Sequence, residues 1–591
     1  MPGINMFKSP YIETKAFKAC EEFKSNFNEV LPHINCQLLY KNKNTIIYET
    51  NYEYYDQHYQ EIDDWQISWE GIDHINLESI VKTLDLFTHQ DISGQTLRAW
   101  RDNTFCNCTS GFFFLAHHSL TGTVVFANDD LARFPVYIYH NNGEFFIGRE
   151  YSLLRFFTKE LKPDKLLVAL YLIFRYAAGH GSPYNEIDTL AGSSIGLYNN
   201  NSDKLIILSD PARRLPLNYY NGKEQDIINI LKEVLINATD KCLNNKNGLL
   251  GLTGGYDSRT VASSLIHTKK PFFCVTRLSV DKTTYRDIKP AIKLSKYLDI
   301  PHEVIKIKQN NEYHYRILFL IKRGLDYLAE ADLINFFEEL YKQYGNNYIF
   351  LTGLGGDRVL KPLLPKKNIN PNNLKKYVLL TQWNIFNINN ISYVLGINPK
   401  LIDEYLYNVI DNYPVHDWND KFRYFRLAEP GGRWAFESED RNRYFYPSDT
   451  PFYNLDFYKL ALSIPESWKK GNTFYWKLIY NLNPKACEVP IATELLKPSS
   501  VGYKFIQNIL NKIEESHKLK LMAKRFLKAD PKQFSSKYFI LNRINILNND
   551  NIIKDILPNY NTKECINKIN NLSFEQLSNL YTVLSIITDK C

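Results

Sequence analysis

The chain has no Cys-x-x-Cys pair. Its nine cysteines are an odd number, and only Cys106 and Cys108 stand close together. Structural zinc sites want two closely spaced pairs, so the thiols read as reduced cysteines of a cytoplasmic protein. No basic segment followed by an apolar one opens the sequence, so no signal peptide is expected. Long hydrophobic runs are also lacking. The longest, Leu166–Phe174, stops at Arg175, which is too short for a bilayer and predicts a buried helix. Charge of one sign is nearly absent as a bias: 71 Lys and Arg face 64 Asp and Glu, a net +7. That excess does not argue for a nucleic-acid partner. There is no internal repeat, no low-complexity linker and no GxxxxGK[ST] run.

What is there is ordinary globular material with many aromatics. Hydrophobic residues make up 44% and aromatics 14%, so burial is easily supplied and extended disorder is not expected. With 591 residues, ~150 per domain gives two to four units. Residues 1–215 read as mixed β. Short apolar runs at Gln37–Tyr40, Thr45–Tyr48, Gly111–Ala116, Thr123–Ala127, Val136–Tyr139 and Glu144–Ile147 alternate with turn signals. Asn141–Asn142–Gly143 predicts a hairpin between the last two. A helix at Pro163–Tyr176 and strands at Ser193–Tyr198 and Lys204–Leu208 close this unit.

From residue 216 onward the pattern changes. Helix-period segments at Asp226–Asp240, Ser258–His267, Asp287–Leu298 and Leu333–Tyr344 alternate with strands at Leu249–Leu252, Pro271–Val275, Val304–Ile307 and Tyr348–Leu351. That alternation implies a parallel sheet covered on both faces. The residues after about 370 read as mostly helical. Lys518–Lys537, basic and containing Pro531, reads as a solvated helical surface.

The strongest chemical signal is Thr253–Gly254–Gly255–Tyr256–Asp257–Ser258, which follows a strand and opens a helix. Two glycines let backbone N–H groups approach an anion. The helix N-terminus adds unpaired donors and partial positive charge, and Thr253 and Ser258 add hydroxyls. Asp257 would repel phosphate unless a divalent cation sits between them.

This hexad resembles the SGGxDS pyrophosphate loop of the asparagine-synthetase family, which includes β-lactam synthetases and lasso-peptide cyclases. Asp287 with Ala291, and then His302, resemble the segments around that family's second and third strands. Thr352–Gly353–Leu354–Gly355–Gly356–Asp357–Arg358 resembles its SGEGxDE loop. Pro451–Phe452 with Leu460–Pro465, and Lys497 with Gly502 and Tyr503, resemble later family segments. In the N-terminal half, Gly111–Phe114, Asn128–Asp130 and Phe134–Tyr137 resemble the family's glutaminase core.

The resemblance implies an α/β protein of two domains. Residues 1–215 would form a degenerate Ntn-hydrolase-like αββα sandwich. Residues 216–591 would form a PP-loop (adenine-nucleotide α-hydrolase-like) synthetase domain with a helical C-terminal extension. It also implies ATP and Mg²⁺. Thr253, Gly254, Gly255, Asp257, Ser258, Gly353 and Gly355 would hold the nucleotide's phosphates, and the strand Phe273–Thr276 its adenine. Asp257 and Asp357 would hold the metal, and Lys497 would stabilise charge in the transition state.

The departures matter as much. Leu354 and Arg358 stand where the family commonly has Glu. Leucine can neither bind metal nor take a proton. Arg358 either clamps a phosphate or substrate carboxylate or is a surface arginine. Arg259 likewise reads as a phosphate contact or a solvent-facing arginine. The family's glutaminase uses an N-terminal cysteine. This sequence begins Met1–Pro2–Gly3, and Cys20 lies inside a helix-like stretch, so glutamine hydrolysis is not expected. Cys106 and Cys108 read as half-buried residues on one side of a strand, and His117–His118 as pointing to opposite faces. Arg433–Tyr446 reads as a packed helix with solvated arginines or as a substrate wall.

The expected activity is an ATP- and Mg²⁺-dependent amide ligase. It would adenylate a small-molecule or peptide carboxylate for attack by an amine, with no membrane or nucleic-acid partner and with other biosynthetic enzymes as partners. An ammonia-dependent asparagine synthetase and a non-catalytic nucleotide binder are the alternatives.

Overall fold

The computed structural model describes residues 2–71, 77–88, 92–216, 218–279, 284–365, 367–381, 386–491, 534–560 and 572–591. Lys497, Gly502, Tyr503 and most of Lys518–Lys537 lie outside the described residues.

Strands β1 (Gly3–Lys8), β2 (Asn35–Lys41), β3 (Thr45–Asn51), β4 (Gln57–Ile62), β5 (Trp65–Glu70), β6 (Phe113–His118), β7 (Val124–Asn128), β8 (Tyr137–Asn141) and β9 (Glu144–Gly148) come first. β10 (Ile187–Thr189), β11 (Ser194–Asn199) and β12 (Lys204–Ser209) follow. They form two antiparallel sheets, ordered β10-β8-β9-β1-β3-β2 and β12-β11-β7-β6-β5-β4. The expected hairpin joins β8 to β9. Its Asn142 and Gly143 have φ of 50° and 75°, the left-handed pair that a two-residue turn of this hand requires.

Side-chain alternation along these strands builds four layers. Phe7, Tyr137 and Phe146 of the first sheet face Phe23 and Phe27 of helix Phe17–Val30. Their neighbours Met6, Ile138, Phe145 and Ile147 face inward against Phe113, Leu115 and Phe126 of the second sheet. The outer face of the second sheet, with Trp65, Ile67 and Phe114, is covered by Ile80 and Val81 of helix Leu77–Leu84 and by Leu97 and Trp100 of helix Gly94–Thr104. The order is helix, sheet, sheet, helix. His117 and His118 take opposite faces of β6, the first bonded to Gln66 and the second to Thr121. Cys106 and Cys108, expected on a strand, sit instead in a turn between helix Gly94–Thr104 and β6.

The third sheet is parallel throughout. Its strands are β13 (Asn247–Gly251), β14 (Phe272–Leu278), β15 (His302–Lys306), β16 (Tyr348–Leu351) and β17 (Ser448–Asp449), in the order β15-β14-β13-β16-β17. Leu250 and Leu351 pack under helices Glu224–Leu243 and Asp257–Thr268, through Leu231, Val261 and Leu265. Leu249 and Phe350 face the other way, toward Ile317, Ile334 and Phe337 of helices Glu312–Lys322 and Ala331–Tyr344. Burial on both faces explains why these strands read as continuous apolar runs. The chain winds outward from β13 through β14 to β15, then returns to place β16 on β13's other side. The strand order therefore reverses at β13 and β16, and the crevice beyond their carboxyl ends is where such sheets bind ligands. Among the described residues, no helix is long and apolar enough to cross a membrane.

A buried ionic seam joins the antiparallel sheets to helix Ala435–Asn442. Arg149 bonds Glu70 at 3.2 Å and Asp440 at 3.0 Å, and Asp440 also meets Lys322 at 3.2 Å and Arg443 at 2.8 Å. Burial alone would raise the Asp440 carboxyl, but Arg149, Lys322 and Arg443 together hold it below its ordinary value. Arg441 pairs with Asp326, and Arg443 also meets Glu439 at 3.4 Å. Arg441 and Arg443 are therefore not solvated: both are buried and paired. Breaking such a network strands uncompensated charge. Asp440→Asn is expected to lower the free energy of urea unfolding by roughly 3–5 kcal/mol. A loss under ~1 kcal/mol would show that the seam contributes little.

Candidate active site at the carboxyl edge of the parallel sheet

Two glycine-rich loops meet beyond the carboxyl ends of β13 and β16. The first, Thr253–Tyr256, leads from β13 into helix Asp257–Thr268. Ser258 is buried and braces the loop from within. The Thr253 N–H donates to its Oγ at 3.0 Å, and the two hydroxyls lie 2.9 Å apart. Thr253 itself is exposed, and its Oγ1 accepts from the Gly255 N–H at 3.3 Å. A Cβ added at Gly255 would meet only that hydroxyl, so this side of the loop is open. The Gly254 N–H donates to Asp287 Oδ1 at 3.0 Å. A carboxylate from helix Tyr285–Leu298 thus already sits on one of the loop's donors.

The second loop packs directly on the first. A Cβ at Gly353 would lie 2.6 Å from the Ser258 nitrogen, and one at Gly356 would lie 2.6 Å from Asp257 Oδ1. Only glycine permits that approach. Gly355 has φ of 94°, and a Cβ there would lie 2.7 Å from the Tyr453 ring. Leu354 takes no polar role through its side chain, and its carbonyl accepts from the Thr450 hydroxyl at 2.9 Å. The short helix Gly356–Leu360 then carries Asp357 and Arg358.

The loops bring Asp257 and Asp357 within electrostatic range. Burial, followed by the like charge of Asp357, pushes the Asp257 carboxyl up to about 7. Lys361, a hydrogen bond from the Tyr475 hydroxyl at 2.7 Å and Arg358 offset this only in part. A carboxylate pair so opposed suits a cation. Magnesium is commonly held by one or two carboxylates together with substrate phosphates and water. Among the described residues no cluster of three or more His, Cys, Asp or Glu could hold a metal.

Other candidates fall in different places. Arg358 Nε lies 3.9 Å from Asp357 Oδ1, and its side chain is largely covered. Thr276 stands near the end of β14, but its hydroxyl is committed: it donates to the Leu252 carbonyl at 2.7 Å and lies 2.7 Å from His302 Nε2. It fixes the strand end beneath the loop. Arg259 is neither a phosphate contact nor solvent-facing. It is fully buried and turned away, donating to the carbonyls of Ala486, Val489 and Pro490.

The sequence reading missed three supporting groups. Lys361 sits over the Tyr256 ring, 5.1 Å from its centroid, and acts electrostatically on Asp257. Tyr475 and Trp476, from helix Thr473–Leu482, brace the loop. Tyr475 bonds Asp257, and the Trp476 N–H donates to the Tyr256 hydroxyl at 2.9 Å. Lys361 stands four residues after Asp357, one helical turn on, which was the available signal.

No family model matches the chain, and no curated protein matches its sequence. Two solved structures show partial likeness. One is described as the structure of the allosteric regulatory enzyme of purine biosynthesis. Identity is 9%, coverage is 51% of this chain and 80% of that one, and the TM-score is 0.21. The other is a glutamine phosphoribosylpyrophosphate amidotransferase from B. subtilis complexed with ADP and GMP. Identity is 8%, coverage is 71% and 94%, and the TM-score is 0.21. Scores this low carry neither fold nor activity across.

The raised Asp257 pKa fixes a sign. Its contribution to folding is fully present below the ordinary value of 3.8 and is lost as pH rises through about 7. A bound cation competes with that proton. If Mg²⁺ is that cation, the stabilisation it gives in thermal melts is expected to grow from pH 6 to pH 8 and to vanish in Asp257→Asn. A pH-independent shift that survives the substitution would place the ion elsewhere.

Proposed function

We propose that the chain is an ATP- and Mg²⁺-dependent ligase that adenylates a carboxylate and joins it to an amine without hydrolysing glutamine. One observation carries the reading: two glycine-rich loops pack together where the parallel strand order reverses, and bring Asp257 within the electrostatic reach of Asp357. In this reading the loop Thr253–Ser258 receives pyrophosphate, with Gly353 and Gly355 letting the second loop close on it. The backbone of Phe273–Thr276 faces the adenine. When bound, Mg²⁺ would be held by Asp257 and Asp357 and would neutralise charge on the phosphates. A substrate carboxylate displaces pyrophosphate from ATP, and the amine then displaces AMP from the acyl adenylate. Arg358 and Lys361 are the described cations beside the metal pair. Lys497 is retained as a transition-state cation on the resemblance alone.

The N-terminal four-layer unit fits a glutaminase-type fold that has lost its chemistry. Cys20 and Cys36 are buried, and burial pushes the Cys20 thiol far above its ordinary value, so it is no accessible nucleophile. At Gly3, where β1 begins, an added Cβ would lie 2.7 Å from both Glu70 Oε1 and Arg149 Cγ. The ionic seam fills that ground.

A second reading, nucleotide binding without turnover, is favoured by Leu354, which supplies no carboxylate to the metal pair or to the amine. Carboxylate-dependent ATP–pyrophosphate exchange decides between them. The ligase reading expects exchange with a screened acid and its loss by roughly 10²-fold or more in Asp257→Ala. Exchange undiminished by that substitution would remove the mechanism, and tight nucleotide binding with no exchange for any acid would leave the binding role. Asparagine formed from aspartate and ammonium would mark the simpler synthetase.

A further inference from the structure

A cavity of about 370 Å³ lies between the antiparallel sheets and the helical block. Tyr176, Leu190, Tyr413, Tyr424 and Phe436 form much of its wall, and Arg214 enters it from the end of the turn Pro211–Arg214. The lining is apolar and phenolic with few charges, which is the character of a small-molecule site.

Four charged side chains line that wall: Arg214, Glu429, Arg433 and Glu437. Glu429 accepts from the Arg433 Nε at 3.2 Å, the Gly179 N–H at 3.1 Å and the Tyr413 hydroxyl at 3.1 Å. Glu437 is matched by Lys322 and the Tyr137 hydroxyl. Arg214 is 6% exposed, and its Nε has no hydrogen-bond partner among the described residues. Burial opposes its charge, and Tyr424, Tyr458, Glu429 and Asp129 favour it from beyond hydrogen-bond distance. Its nearest ring is Tyr424, 5.2 Å from Cζ. Among the described residues the Tyr176 hydroxyl on the same wall also has no hydrogen-bond partner. Leaving a buried Nε–H and a buried hydroxyl unmet costs free energy that a ligand would recover. Room is kept around the guanidinium by two glycines: a Cβ at Gly192 would lie 3.2 Å from Nη2, and one at Gly432 would lie 3.8 Å from Nη1.

We propose that this cavity binds a small organic carboxylate, with Arg214 clamping its carboxylate, the Tyr176 hydroxyl completing the set and the phenolic wall holding its apolar body. One guanidinium matches one monoanion. A phosphate dianion would stand unmatched beside Glu429 and Glu437. The clamped group is an anchor and not a reacting atom. The π-helical turn Glu429–Trp434 separates it from the metal pair: Gly432 borders Arg214, whereas a Cβ at Gly431 would lie 3.8 Å from Arg358 Cγ. The site is independent of the ligase reading, because it binds without nucleotide.

The test is calorimetric titration and thermal melting of the full chain, without ATP, using phenylacetate and hexanoate as probes. Phenylacetamide serves as the neutral isostere and inorganic phosphate as the competing anion. The carboxylates are expected to bind and to raise the melting temperature. Arg214→Met should weaken them roughly tenfold or more without lowering the melting temperature of the ligand-free protein, and Arg214→Lys should retain part of the affinity. Ala428→Phe, which fills the cavity while leaving Arg214 intact, should block binding. The proposal is overturned if neither carboxylate binds. It is also overturned if phenylacetamide or phosphate binds as well as phenylacetate, or if affinity survives either Arg214→Met or Ala428→Phe.

Discussion

The arrangement of the site depends on a repulsion. Asp257 and Asp357 lie close enough that, after burial, the charge of the second raises the carboxyl of the first. Asp257 opens a helix directly after β13, and Asp357 lies in the first turn after β16, the adjacent strand. The glycines between them remove every side chain that would wedge the loops apart. A fold does not keep such a pair unless something positive occupies the place between the two carboxylates, or a proton takes its role. The aromatic brace from Tyr475 and Trp476 and the nearby Lys361 fit the same logic. They steady Asp257 without neutralising it.

The seam between the antiparallel sheets and helix Ala435–Asn442 shows the opposite electrostatic solution. Arg149, Lys322 and Arg443 converge on Asp440 and consume one another's charge in a fully covered seam. Charge here ties the sheets to the helices and is closed to solvent and substrate alike. The contrast separates structural from chemical ionisable groups in this molecule: the seam brings opposite charges into direct contact, whereas the aspartate pair sets like charges near each other.

Much of the fold was legible because period and punctuation agree with burial. The strand pattern at Glu144–Ile147, the Asn-Asn-Gly turn and the alternation of strand and helix after residue 216 all appear within a few residues of their expected positions. β1, β4, β5, β10 and β17 escaped notice. β4 is largely polar, and β10 and β17 are only three and two residues long. The two loops were legible as motifs because glycines with an acidic residue after a strand have few other uses. What the sequence hid was direction. Arg259, beside the first loop, looked poised for phosphate, yet the helix turns it inward to three carbonyls. Arg441 and Arg443 looked solvated and are buried among acids. Arg214 carried no local signal at all, because its significance is a buried Nε–H without a hydrogen-bond partner, and that is a property of the whole fold.

The central claim is that a divalent cation bridges the two loops when nucleotide is bound. The most direct measurement is the anomalous scattering of Mn²⁺ in a crystal of the protein grown with a non-hydrolysable ATP analogue. The account predicts one peak between the carboxylates of Asp257 and Asp357, at a coordination distance of roughly 2 Å from oxygen. A nucleotide bound with its metal elsewhere, or a metal touching neither aspartate, would contradict it.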